Sequence, residues 1–221
     1  MVARNIMFML VSMGLATIVA CVSSQPERST SPASPIEFSD AATAENSDRS
    51  DRPDTKIISL SVEGETTEIE LDLFENDAFP FTTYYPTQDL IPEVISSSEG
   101  MSVRFYFSPM GTKNEKAYIQ FFVPTRSASI EQIQELILGD RGLLIRNQWE
   151  LLDRTDIVSY PWANEKLMYQ QPTGRESIVG AIYIGEENGQ GFYVLTHYPA
   201  EYGDGFEPRS NIVLENVQFE E

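Results

Sequence analysis

The chain has few of the residues that build metal centres and disulfide frameworks. Its 221 residues include one cysteine and one histidine, which excludes an internal disulfide, a cysteine-rich zinc site and a multi-histidine metal centre. Basic side chains are also scarce: 15 Lys and Arg stand against 34 Asp and Glu, and the formal charge is −19. Such a charge repels nucleic-acid phosphate and anionic lipid headgroups. Nucleic-acid binding is therefore not expected, and no cofactor is predicted.

The N-terminal segment has the pattern of a secretory leader. Arg4 is followed by an uncharged, mostly apolar run from Ile6 to Ala20. As a helix this run would span about 22 Å, which is shorter than the roughly 30 Å hydrocarbon core of a bilayer. We therefore predict a cleaved signal peptide over residues 1–20. An ordinary signal peptide with an incidental cysteine, or a short uncleaved anchor, is the alternative.

The lone cysteine lies where this leader ends. The sequence Ile18-Val-Ala-Cys21 resembles the bacterial lipobox, in which a small residue precedes a cysteine that becomes the mature N-terminus. The resemblance implies a thioether-linked diacylglycerol on Cys21 and a third, amide-linked acyl chain such as palmitate. At about 0.8 kcal/mol per buried methylene, two or three chains hold a protein on a membrane. We predict a lipid-anchored protein that faces the periplasm or another extracytoplasmic compartment.

A change in composition near Asp54 predicts the start of the folded domain. Residues 21–54 begin with the lipidated cysteine. They are rich in serine and proline and contain one aromatic residue, Phe38. This segment buries too little apolar surface to offset its ordering entropy, so we predict a disordered linker with a reach of about 30 Å. The leader contributes +1 and the linker −4, which leaves −16 on the predicted globular domain, residues 55–221.

Alternating apolar residues predict a domain built mainly from antiparallel strands. Period-two patterns cover 56–62, 66–74, 79–85 and 101–108, and further strands are predicted at 117–123 and 166–169. The turn Asn188-Gly189 predicts a hairpin between 178–184 and 191–196. Helical spacing begins after Ser129 and ends near Gly139, and a terminal helix is predicted within 208–219. Hairpins with inserted helices indicate an α+β domain, an antiparallel sheet with helices packed on it.

Several short motifs in this layout resemble the PsbP-like family. They are Phe81-Thr-Thr-Tyr-Tyr-Pro86, the middle helix, the Gly-Phe-Tyr of 191–193, Tyr198-Pro-Ala-Glu201, and a C-terminal Val217-Gln-Phe219. The resemblance implies a layered sandwich of sheet and helices. It also implies an extrinsic, non-catalytic subunit on the lumenal or periplasmic side of a membrane, which assists photosystem II or a related membrane complex.

The candidate for acid–base catalysis is His197, because the chain has no other histidine. Glu201 and Asp204 follow it closely and would be able to orient an imidazole. A nucleophile elbow of the form Gly-x-Ser-x-Gly does not occur, so a catalytic triad has no recognisable nucleophile. We predict that no residue is catalytic and that His197 lies partly exposed at the end of a strand.

The segment from Tyr198 to Arg209 is predicted to be a structured loop, because it combines two glycines, two prolines and three acids. Its carboxylates, Glu201, Asp204 and Glu207, are candidate binding residues. Their spacing does not match the twelve-residue calcium loop. We therefore predict no metal site.

Aromatic residues Trp149, Tyr160 and Trp162 are the remaining candidate binding residues. They either form a surface for a partner or a sugar, or fill the core. The leading hypothesis is a non-catalytic accessory lipoprotein that binds a protein partner, which should be basic. The alternatives are a small-molecule or glycan-binding lipoprotein with a pocket between Trp149 and Trp162, and a hydrolase that uses His197.

Overall fold

A computed structural model describes residues 51–62, 64–173 and 176–219. The predicted signal peptide, the lipidation site Cys21 and the linker as far as residue 50 lie outside the described residues. Among the helices in the described ranges, none is long and apolar enough to cross a bilayer.

The described residues form eleven strands and three α-helices. The strands are β1 (Thr55–Val62), β2 (Glu65–Phe74), β3 (Phe81–Pro86), β4 (Leu90–Ser96), β5 (Gly100–Phe107), β6 (Asn114–Pro124), β7 (Glu150–Thr155), β8 (Ala163–Thr173), β9 (Glu176–Glu187), β10 (Gln190–Pro199) and β11 (Gln218–Phe219). The helices are α1 (Ile130–Leu138), α2 (Leu143–Asn147) and α3 (Gly203–Glu215), and a 3-10 turn at Ala200–Tyr202 precedes α3.

The strands form two antiparallel sheets. The four-stranded sheet has the order β1-β2-β3-β11, and the seven-stranded sheet has the order β4-β5-β6-β10-β9-β8-β7. Sequence neighbours mostly pair as hairpins, and β10 joins the two halves of the larger sheet by pairing with both β6 and β9. The predicted α+β class, an antiparallel sheet with helices packed on it, is confirmed.

Both faces of the seven-stranded sheet pack against other elements. Its inner face, which carries Phe105 and Phe121, packs on the four-stranded sheet: the rings of Phe81 and Phe121 stack with centroids 4.5 Å apart. Its outer face packs on α1 and α2 through the buried side chains of Ile133, Ile137 and Leu144. Helix α3 lies on the inner side, where Phe206 contacts Tyr198 of β10 with ring centroids 4.7 Å apart.

Two local predictions are confirmed by backbone geometry. The side chain of Ser129 accepts a hydrogen bond from the Gln132 amide, and the Gln132 side chain accepts one from the Ser129 amide at 2.9 Å. This capping box satisfies two amides that the first turn of α1 leaves unpaired. Asn188 and Gly189 both have positive φ, 50° and 75°, as the tight turn between β9 and β10 requires.

Three parts of the sequence-based prediction need correction. Strands β4 and β7 were not predicted, because Pro92 interrupts the first and a bulge between Leu151 and Asp153 disturbs the alternation of the second. The segment predicted as a loop, residues 198–209, contains the first half of α3. The terminal helix predicted within 208–219 ends at Glu215. Gln218 and Phe219 then form β11, which pairs with β3.

The contacts of the domain begin before its predicted start at residue 55. Arg52 Nη1 donates hydrogen bonds to Thr82 Oγ1 at 2.9 Å and to the Asn216 carbonyl at 3.0 Å. The Tyr84 hydroxyl donates to the Pro53 carbonyl at 2.7 Å. These contacts move the start of the packed chain to Arg52.

Candidate functional site

The inner face of the larger sheet is left partly open near β7 and β8, where the four-stranded sheet does not reach. Helix α3 and the segment 157–160 enclose a cavity of about 610 Å³ above β8, β9 and β10. Ala181, Tyr183 and Thr196 contribute to its floor. We call this cavity the α3 groove.

One face of α3 forms a wall of the α3 groove. Glu207, Ser210, Asn211 and Leu214 line the cavity, and their spacing of three, four and seven residues places them on a single stripe of the helix. The spacing of these four residues can be read from the sequence. Because we predicted a loop for residues 198–209, the helix and its stripe were not recognised.

Two of the predicted aromatic residues hold this wall in place. The Tyr160 hydroxyl donates to Asn211 Oδ1 at 3.0 Å, and Trp162 Nε1 donates to the Leu214 carbonyl at 3.0 Å. Their rings are parallel within 5°, with centroids 5.4 Å apart. Trp162 is buried beneath Tyr160, so Tyr160 lines the groove and Trp162 supports it from below.

The polar groups that line the α3 groove are four tyrosine hydroxyls, the charged side chains of Lys166 and Glu207, and smaller polar side chains. The Tyr198 hydroxyl donates to the Glu207 carboxylate. Burial raises the pKa of Tyr198, and its bond to Glu207 raises that pKa further. Burial also raises the pKa of Tyr160, and the neighbouring Tyr183 adds to the effect. Burial likewise raises the pKa of Tyr183. These three phenols therefore stay protonated at neutral pH and act as hydrogen-bond donors.

The rim of the α3 groove is apolar and exposed. The exposed fraction is 86% for Ile157, 54% for Leu152 and 40% for Met168. Leu152 is the extra residue in the bulge of β7, and it lines the same cavity as Met168. The bulge thus brings a second large apolar side chain to the opening, a role that sequence reasoning missed along with that of Ile157.

Trp149 lies on the opposite side of the sheet. Its ring stacks on Tyr169 of the outer face with centroids 4.3 Å apart, and its Nε1 donates to Gln171 Oε1 at 3.2 Å. Trp162 belongs to the inner-face cluster. The seven-stranded sheet therefore separates the two tryptophans, and the predicted pocket lined by both is wrong.

His197 lies within β10 rather than at the end of a strand, so its predicted position is corrected. Its register partners are Tyr118 in β6 and Gly180 in β9. The imidazole is half-buried, with Nδ1 2.8 Å from the Tyr169 hydroxyl and the rings of Tyr118 and Trp149 nearby at 5.0 Å and 5.3 Å. Burial, assisted by the positive charge of Arg104, lowers the pKa of His197 to about 4. The imidazole is therefore neutral at pH 7.

Gly180 makes this arrangement possible. It stands opposite both His197 and Tyr169, and a Cβ at this position would collide with the Tyr169 hydroxyl and the Thr196 carbonyl. Without that Cβ, the Tyr169 side chain crosses β9 and donates to the Thr196 carbonyl at 3.0 Å. His197 is thereby held in a packed aromatic cluster.

The predicted acidic residues do not act together. Glu201 lies exposed in the 3-10 turn and Asp204 lies exposed in the first turn of α3. Glu207 contributes to the groove through its contact with Tyr198. Within the described ranges, no three His, Cys, Asp or Glu side chains are grouped so as to hold a metal ion.

Comparisons with known proteins find similar solved structures but no matching family. No family model matches the chain, and no curated protein sequence matches it. A solved structure of a protein from Bacteroides thetaiotaomicron is similar, with 12% identity and a TM-score of 0.40, over 67% of this chain and 48% of that one. The chain thus spans about half the length of that protein.

A second similar structure is a cyanobacterial PsbP from Synechocystis. It has 12% identity and a TM-score of 0.46, and the match covers 68% of this chain and 92% of that one. The α+β class of the domain follows from its own strand pairing and helix packing.

Proposed function

We propose that this chain is a membrane-tethered accessory lipoprotein, anchored through Cys21, that binds a protein partner and is not an enzyme. The observation that carries the proposal is the exposed apolar rim of the α3 groove. Single exposed apolar side chains are ordinary on a protein surface, whereas several around one opening are typical of interaction sites. Ile157, Leu152 and Met168 form such a group.

The volume of the α3 groove supports binding of a polypeptide segment. A volume of about 610 Å³ accommodates several side chains, and binding energy in protein interfaces is concentrated in a few anchors that fill such pockets. Glu207 places a carboxylate on the wall beside the buried tyrosine donors. Lys166 offsets this carboxylate within the groove. The preference for a basic partner segment therefore comes from the charge of −16 over residues 55–221, and the rim favours apolar side chains in that segment.

A small-molecule ligand is the second candidate, and one observation favours it. The volume of the α3 groove falls within the range of about 300–1,000 Å³ that is usual for ligand sites, and its tyrosine hydroxyls supply the few polar groups such sites need. In this form the ligand contacts Tyr160 in the enclosing segment and Tyr183 on the floor, and the rim contributes little.

The test is site-specific photocrosslinking of the full chain in its native membrane. The crosslinking residue replaces Ile157 at the rim in one variant and Met110 in the control. Met110 is a matched control, because it is apolar and 91% exposed and lies in the turn between β5 and β6. We expect one defined partner to be captured from position 157 and not from position 110. Its yield should fall as salt rises from 0.1 M to 1 M, since the Debye length shrinks from about 10 Å to about 3 Å.

Further variants separate the two candidates. Leu152→Asp should abolish capture at position 157, while Tyr160→Phe should leave it nearly unchanged. Under the small-molecule alternative, native mass spectrometry would detect a bound compound that Tyr160→Phe weakens and Leu152→Asp does not. Equal capture of the same proteins from positions 157 and 110 would show that the rim is not a docking site.

A further inference from the structure

Three of the four outer strands of the two sheets carry a feature that discourages pairing with another chain. Strand β4 contains Pro92, β7 contains a bulge and charged side chains, and β11 has two residues. Strand β1 is different. It has eight residues in continuous register with β2, no proline and one charged residue, Lys56. Its outer side pairs with no strand in the described part of the chain. Long, regular edges of this kind are templates for strand addition.

The register identifies which backbone groups of β1 face outward. The Leu73 amide donates to the Asp54 carbonyl at 2.8 Å, and Thr55 is opposite Asp72. In an antiparallel pair, hydrogen-bonded and non-hydrogen-bonded pairs alternate. The even-numbered residues of β1 therefore bond to β2. The odd-numbered residues, which are Thr55, Ile57, Ser59 and Ser61, direct their N–H and C=O groups away from it.

The two faces of β1 differ in chemistry. Ile58 and Leu60 are half-buried against the apolar cluster that contains Leu71, Tyr84 and Ile212. On the other face Ile57 is 69% exposed. Across the pair, three carboxylates stand on that exposed face of β2: Asp72 opposite Thr55, Glu70 opposite Ile57, and Glu68 opposite Ser59.

From this arrangement we infer that β1 is a strand-addition site for an extended segment of another protein, in which apolar and basic side chains alternate. The apolar side chains would extend the cluster of Ile58 and Leu60, and the basic ones would lie in the field of the β2 carboxylates. A second copy of this chain is a poor occupant, because its own β2 carboxylates and its charge of −16 would repel the first. The inference does not require the α3 groove, so it stands or falls separately from the proposed function.

The test uses synthetic ten-residue peptides and the full chain in detergent. One peptide alternates valine with lysine, and the controls are a block arrangement of the same residues and a version with glutamate in place of lysine. We expect the first peptide to bind at least ten-fold more tightly than either control. Amide hydrogen exchange should slow at Ile57, Ser59 and Ser61, while Ile58 and Leu60, already bonded to β2, should change little.

A matched pair of variants tests the edge itself. Ser59→Pro removes one outward N–H without removing a bond to β2, whereas Ser59→Ala keeps that N–H. We expect at least a ten-fold loss of peptide affinity for Ser59→Pro and no loss for Ser59→Ala. Ile57→Lys is the second variant, used where the proline variant fails to fold. It should weaken binding of the lysine peptide without weakening binding of the glutamate peptide.

Three outcomes would overturn the inference. The first is equal binding of the alternating and block peptides. The second is protection confined to Ile157 and its neighbours in the α3 groove. The third is self-association of the full chain that Ser59→Pro abolishes, which would make a second copy the occupant.

Discussion

Arg209 Nε lies 2.6 Å from Asp89 Oδ2, and this ion pair joins the middle of α3 to the turn between β3 and β4. The side chains are 20% and 13% exposed. Arg209 Nη1 also donates to the Gly205 carbonyl at 2.8 Å. The contact therefore holds α3, which forms a wall of the α3 groove, against the turn between β3 and β4.

Asp89→Asn should destabilise the domain, because it leaves the Arg209 charge largely buried and without its carboxylate. Leaving a buried polar group without its partner costs about 1–3 kcal/mol, so we expect a loss of about 2 kcal/mol in the free energy of unfolding, measured by urea titration. Lys116→Ala is the control, since its pair with Glu176 is 65% and 49% exposed and should contribute less than about 1 kcal/mol. Equal effects of the two substitutions would contradict the structural role of the Arg209 pair.

Stability should fall in mild acid because of His197. Its pKa is about 4 in the folded chain and about 6.5 when unfolded, so the unfolded chain binds an additional proton between these values. The contribution is complete above pH 6.5 and is lost as pH falls to about 4, with a total on the order of 3 kcal/mol. His197→Phe should remove this part of the pH dependence in urea titrations at pH 7.5, 6 and 5.

NMR checks the same prediction directly. The chain has one histidine, so a single imidazole titration will be observed in the folded protein. A midpoint near 6.5 would contradict the packed aromatic environment described for His197.

Trp149→Phe and Trp162→Phe should act independently. Each removes one indole hydrogen bond, to Gln171 and to the Leu214 carbonyl respectively, and each should cost about 1–3 kcal/mol of stability. Because the two rings lie on opposite faces of the sheet and share no partner, the double variant should show a coupling energy below about 0.5 kcal/mol. A larger coupling, measured in a double-mutant cycle, would indicate a shared site.

The residues just before β1 should contribute measurably to stability. A chain that begins at Thr55 lacks the Arg52 hydrogen bonds, the Arg52 guanidinium 4.4 Å from the Tyr84 ring, and the bond from Tyr84 to Pro53. It should be less stable than a chain that begins at Asp51, by about 1–3 kcal/mol. Arg52→Ala in the longer chain should reproduce part of this loss. Identical thermal midpoints for both chains would show that these contacts contribute nothing.

Cys21 should carry the membrane anchor. Mass spectrometry of the mature N-terminus should detect a diacylglyceryl adduct, and Cys21→Ser should move the protein to the soluble fraction after cell fractionation. A mature chain that retains residues 1–20 without modification would disprove the lipoprotein assignment.

Local patterns were sufficient for the elements whose signals lie close together in the sequence. Ser129 and Gln132 define the start of α1, and Asn188 with Gly189 defines the hairpin of β9 and β10. Strand β4 was not predicted, because a proline such as Pro92 usually interrupts a strand. It is tolerated here because β4 is an edge strand. Pro208, with Gly203 and Gly205, likewise obscured the first half of α3.

The candidate site depended on relationships that the sequence does not display. Trp149 and Trp162 are close along the chain, yet one packs on each face of the sheet. No local sequence pattern marks Ile157 as a binding residue. Its exposure indicates a binding role only because Leu152 and Met168 lie at the same opening. Tyr160 and Glu207 both line the groove because α3 returns to the sheet after β10, a contact set by tertiary packing.

The position of Arg52 has a mechanical consequence. A pull on the chain before Asp51 enters the domain at this side chain, which holds the Asn216 carbonyl at the end of α3. Asn216 is two residues beyond Leu214, a lining residue of the α3 groove. Arg52 thus joins the start of the packed chain to the end of the helix that forms the groove wall. Because the same guanidinium also donates to Thr82 of β3, a force applied there acts on β3 and on the residue that ends α3 together.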